Sequence, residues 1–184
     1  YAWGREDAVA GDALLQEKVV WLNPAFFLLR TLVYGLVWTL LVRGLVASSR
    51  AQDRDGEVRW TTRSVRLSAV FLVVFGLTFS AASFDWIMPL DRHWFSTIFA
   101  VYNFAGLFLS GLAALTLMVI LLRRGGRLKG IVTPDHLHDL GKLLFGFATF
   151  WAYIWFSQYM LIWYGNLPEE TSYYQLRHVG GWGP

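Results

Sequence analysis

Residues 97–122 read TIFAVYNFAGLFLSGLAALTLMVILL, without a single charged side chain. A hydrocarbon core about 30 Å thick is crossed by about 20 helical residues at 1.5 Å each, so this run is long enough to span. Its apolar residues are continuous rather than alternating. In lipid only helices and closed barrels satisfy their backbone groups, so the run predicts a helix. Three further apolar blocks, Pro24–Val46, Leu67–Leu90 and Leu143–Trp163, have similar length. A composition of 55% hydrophobic and 16% charged residues is a poor fit to a soluble domain. The expected fold is therefore an all-α integral membrane protein with four transmembrane helices in an antiparallel helical bundle.

The expected organisation follows from these blocks. A first segment, 1–23, holds an interfacial helix over 12–23 and precedes a span at 24–46. A basic loop at 47–66 leads to the span 67–90, and a short loop at 91–96 to the span 97–122. A second basic loop, 123–133, precedes a long span at 134–164, and 165–184 forms the last segment. Pro24 suits a first helical turn, where its missing donor costs nothing. Thr133, Pro134 and Asp135 form a helix-start signature of cap, N1 proline and first-turn acid. The chain begins at Tyr1 without an initiator Met and reads as the interior of a longer polypeptide, with another span expected soon after Pro184.

Charge sets the expected orientation. The two basic loops and the adjoining helix ends carry 11 Lys and Arg residues, from Arg43 to Arg66 and from Arg123 to Lys142. The opposite side carries four: Arg5, Lys18, Arg92 and Arg177. The positive-inside rule then places both basic loops in the cytoplasm and both ends of the chain outside. Trp21, Trp86, Trp94 and Trp163, with Tyr164, Tyr173 and Tyr174, are expected to form an aromatic belt at the outer boundary. Gly106, Ser110 and Ala114 make a small-residue stripe for close helix approach. No basic stripe with interleaved aromatics lies outside the spans, so nucleic-acid binding is not expected.

The chain has no cysteine, which excludes thiolate zinc and Cys-ligated iron–sulfur sites within it. Its four histidines, His93, His136, His138 and His178, all lie outside the apolar blocks, so no axial pair for a transmembrane b-type haem is expected. His136 and His138 are about 200° apart on a helix and do not chelate one ion together. His136, His138, Asp139 and Lys142 instead form a titratable cluster at the cytoplasmic mouth of the fourth span. They are candidates for proton uptake, weighed against a solvated helix end with local ion pairs. On the outer side Asp85, Asp91, His93, Gln158, Tyr159, Glu169 and Glu170 are candidates for a quinol or proton-exit site. Such a site needs a flat apolar slot and an acceptor near water, but these residues are also ordinary at a membrane interface. Arg30, two turns inside the first span, either snorkels outward or pairs with Asp85 near the outer end of the second, and an ion pair holding the bundle together is the preferred reading.

The runs HLHDLGKLLF at 136–145 and WAYIWFSQYMLIWYGNLPEET at 151–171, with SFDWIM at 83–88 and HWFST at 93–97, closely resemble the F subunit of bacterial alternative complex III. Residues 80–174 carry the resemblance; residues 1–80 share only its general character. It implies a multi-span subunit of about ten helices, related to NrfD-type membrane anchors. The implied complex is a quinol:electron-acceptor oxidoreductase of a respiratory or photosynthetic chain, in the bacterial cytoplasmic membrane. Menaquinol or ubiquinol would be its substrate. Haem c and iron–sulfur clusters would sit in partner subunits, with none bound by this chain, and an NrfD-like C subunit is the better candidate for the quinol site. The F subunit is then expected to support the core or to conduct protons, and is not expected to be catalytic alone. A purely structural subunit binding neighbours and lipid is the main alternative. A secondary transporter fits poorly, since the span interiors lack proline and the midplane lacks charge.

Overall fold

Asn23 and Pro24 decide where the first long helix begins. In the computed structural model, which describes residues 2–4, 9–91 and 93–178, the Asn23 side chain accepts the Phe26 N–H at 2.9 Å and Pro24 takes the first turn. Short helix α1 (Ala13–Lys18) precedes it, capped by the Asp12 carboxylate on the Leu14 and Leu15 N–H groups. The long helices are α2 (Pro24–Asp55), α3 (Val58–Trp86), α4 (Phe99–Arg124) and α5 (Pro134–Gly165); α6 (Pro168–His178) follows. Short 3₁₀ turns form at Ala2–Gly4 and Met88–Leu90. Among the described residues there is no strand. Arg92 and residues 179–184, parts of the two expected outer segments, lie outside the described residues.

The connection expected as a loop at 47–66 is helical except at Gly56 and Glu57. Ala47, Arg50, Ala51, Gln52 and Arg54 are strong helix formers with no proline among them, so α2 runs on past its apolar block. It ends where Gly56 adopts φ +68°, the left-handed conformation glycine takes without strain. The chain then reverses within two residues. Contacts at 52–61, 38–78 and 31–86 mark α2 and α3 as an antiparallel hairpin.

The chain divides into two compact units, Tyr1–Trp94 and Phe95–Pro184. In the second, α4 and α5 pack antiparallel through Tyr102 with Trp151 and Phe108 with Phe147, whose ring centroids are 6.1 and 4.3 Å apart. The Gly106 backbone faces the Trp151 indole, whose nitrogen would lie 3.4 Å from a Cβ there, about van der Waals contact. Ser110 and Ala114, expected to continue the same close-packed stripe, are exposed within this unit.

Among the described residues three helices are long and apolar enough to cross a membrane: Pro24–Asp55, Val58–Leu90 and Phe99–Arg124. Helix α5, expected as a fourth span, is not among them. It has 32 residues, ample length, but its apolar block includes Trp151, Tyr153, Trp155, Gln158 and Tyr159. Such rings and amides lower its hydropathy and prefer interfaces to hydrocarbon. The spanning helices bury few of their side chains within the chain itself. Leu28, Leu32, Leu36 and Leu40, one per helical turn, form an exposed ridge along α2. A contiguous apolar ridge of that kind marks a surface facing lipid or a partner.

Candidate functional site

Asp85, one residue before the end of α3, is wholly buried. Its burial is tolerable because every side of the carboxylate is met. Arg30 of α2 donates from Nε to Oδ2 at 2.8 Å and from Nη2 to Oδ1 at 2.9 Å. Trp21 donates from its indole N–H to Oδ1 at 2.7 Å, and the Tyr34 hydroxyl donates to Oδ2 at 3.0 Å. The guanidinium, 7% exposed as a residue, also donates to the Trp21 carbonyl at 3.0 Å and lies 4.2 and 4.3 Å from the Trp21 and Phe26 ring centroids. This is a bidentate ion pair whose carboxylate accepts four hydrogen bonds and whose guanidinium makes three, the kind of arrangement in which a buried pair is sustained. Arg30 therefore does not reach outward to an aqueous surface.

Beneath this cluster an aromatic column fills the hairpin. Trp38 and Trp86 meet edge to face at 5.9 Å, and each indole N–H finds a threonine hydroxyl across the hairpin, Thr78 at 2.8 Å and Thr31 at 3.0 Å. Three tryptophans of the expected aromatic belt also make contacts inside the chain. Trp94 is buried at 2% exposure, and Trp21 and Trp86 are tied into the hairpin by hydrogen bonds. Indole has both a large apolar face and one donor, so it serves a polar cluster inside a helix pair as readily as an interface. Trp163 and Tyr164 are exposed.

The other residues proposed for an outer site fall in separate surroundings. Asp91 helps line a cavity of about 240 Å³ with Trp21, Phe84, Met88 and Pro89. His93 Nε2 lies 2.6 Å from Asp12 Oδ2, and this hydrogen bond holds the Asp12 carboxyl below its ordinary value. In the second unit, Gln158 and Glu170 line a cavity of about 150 Å³. Tyr159 lines another, of about 470 Å³, with Asn166, Thr171 and Tyr174. Burial pushes the Tyr174 hydroxyl up to about 12, so it remains a hydrogen-bond donor throughout the physiological range. Glu169 is exposed in the first turn of α6, where a negative charge suits the helix dipole.

At the start of α5 the four residues proposed for proton uptake are all exposed. Thr133 and His136 form a reciprocal cap: the Thr133 N–H donates to His136 Nδ1 at 3.0 Å, and the His136 N–H donates back to the Thr133 hydroxyl at 3.5 Å. Lys142 donates to Asp139 at 3.2 Å, with both side chains more than 60% exposed. His136 is thus turned to the backbone of its own helix start rather than toward Asp139. Among the described residues no three His, Asp or Glu side chains gather into a metal-binding group.

Sequence reasoning missed Trp21 and Tyr34 as partners of Asp85. Tyr34 carried a signal, since it lies one turn after Arg30 on the same helix face. Trp21 carried none, because its position also suits an interfacial anchor. Comparison with protein-family models and with curated proteins returns no match to this chain.

Proposed function

We propose that this chain is the membrane-embedded supporting part of a quinol:electron-acceptor oxidoreductase of the alternative complex III type. In this reading α5 crosses as a fourth span, the basic connections face the bacterial cytoplasm and both ends lie on the periplasmic side. Partner subunits, including an NrfD-like C subunit, carry the haem c, the iron–sulfur clusters and the quinol site. The observation that carries the supporting role is the Asp85 cluster. Its two charges pair with one another and its carboxylate is met by four donors from within the first unit, as suits a rigid scaffold rather than a reacting centre. The exposed leucine ridge of α2 supports a partner- or lipid-facing role. Assignment to this complex rests on the resemblance carried by residues 83–88, 93–97, 136–145 and 151–171.

The test is co-purification. Isolated from its native membrane in mild detergent through an affinity tag, the chain should carry stoichiometric c-type haem absorbance and quinol-oxidising activity. Its isolation free of haem, with activity left in the unbound fraction, would overturn the assignment.

A proton-conducting role along α4 and α5 is the second reading. It is favoured by Asn103 and Gln158, whose side-chain nitrogens are buried without a hydrogen-bond partner. Asp139→Asn should then leave assembly and haem content unchanged while lowering the protons moved per quinol oxidised. An unaltered proton yield would leave only the supporting role.

A further inference from the structure

Gln158 sits two turns before the end of α5 at 3% exposure, and its amide nitrogen has no hydrogen-bond partner. A buried amide donor without an acceptor is costly, so native proteins rarely keep one dry. Gln158 also forms part of the wall of the cavity of about 150 Å³, within the second unit. The wall is mixed: polar Ser96, Thr97 and Glu170 lie in it alongside apolar Leu161 and Ile162. Glu170 is half-buried in the first turn of α6. A cavity holds ordered water when it is polar, has room for at least one molecule and offers it two to four partners.

We infer that this cavity is a hydrated vestibule, with water as its ligand. The water cluster accepts from the Gln158 amide, exchanges hydrogen bonds with the Ser96 and Thr97 hydroxyls and donates to the Glu170 carboxylate. It brings solvent to a residue that protein atoms otherwise enclose. The inference stands whichever complex the chain belongs to, since it rests only on residues of this unit.

X-ray radiolytic labelling of the intact, detergent-solubilised protein tests it, because water held beside a buried side chain oxidises that side chain where it lies. Ile162, buried in the cavity wall, should be labelled. Ile154, equally buried two turns earlier and outside that wall, should stay silent. Gln158→Leu should cut the Ile162 labelling several-fold and leave the melting temperature unchanged or lower. Ile162 as silent as Ile154, labelling indifferent to Gln158→Leu, or a raised melting temperature in that variant would each mean a dry cavity and overturn the proposal. Should Gln158→Leu fail to accumulate, Thr97→Val removes a second polar wall group and is read by the same labelling ratio. A several-fold fall in Ile162 labelling then supports the vestibule, and an unchanged ratio overturns it.

Discussion

Arg30 and Asp85 lie 55 residues apart in sequence, yet together they form an ion pair almost wholly enclosed by the hairpin. Removing either partner leaves a buried charge uncompensated, at a cost of about 3–5 kcal/mol. Arg30→Ala and Asp85→Ala should each lower the unfolding midpoint of the detergent-solubilised protein sharply. The double variant should cost clearly less than the sum, and strict additivity would mean the two charges do not depend on one another. Tyr34→Phe, which removes only one charge-assisted donor, should cost about 2 kcal/mol in the same assay. That Arg30 needs a carboxylate was legible from the sequence, because an unpaired charge inside an apolar block is costly. The Trp21 indole donor was not, because its position also suits an interfacial anchor, while the Tyr34 phenol was signalled only by its place one turn after Arg30. At the same end of the first unit, Asp12 gives a pH dependence. Its carboxyl is held below the ordinary 3.8 chiefly by the hydrogen bond with His93. Its contribution is therefore present above that ordinary value and lost as pH falls through the lowered one. The melting-temperature gap between wild type and Asp12→Asn, which keeps a capping side chain, should narrow below about pH 4 and persist at pH 6.

The helix starts carry their own chemistry, and this made them readable. Pro24 after Asn23 and Pro134 after Thr133 each pair an N1 proline with a capping side chain. The basic helix ends misled for a physical reason. Arginine signals water but does not interrupt a helix, so the charges of 50–66 marked a boundary of the apolar block rather than of the helix. Gly56 holds the break instead. Gly56→Ala forces a Cβ into the left-handed region at about 1 kcal/mol. It should destabilise the protein by that amount, read as a lower midpoint of unfolding, and leave the helical content by circular dichroism unchanged; an unchanged midpoint would place the turn under no such constraint. The same logic applies to α5. Thr133→Ala should cost about 1 kcal/mol through loss of its cap, as a helix end of local significance requires.

At the scale of the whole chain, the spans follow from length and apolarity in three helices, while α5 rests on its length and its aromatic surface. If α5 does not cross, Glu169 and Arg127 lie on one side of the membrane and the reading of both ends as periplasmic fails. These 184 residues contain no cysteine, so a single introduced cysteine is the one thiol among them. The deciding measurement is labelling of Arg54→Cys, Asp91→Cys, Arg127→Cys and Glu169→Cys in sealed vesicles with an impermeant maleimide. Positions 54 and 127 should react together from the cytoplasmic side, and 91 and 169 together from the other. Labelling of 127 and 169 from the same side, or of 54 and 91 from the same side, would contradict the four-span account.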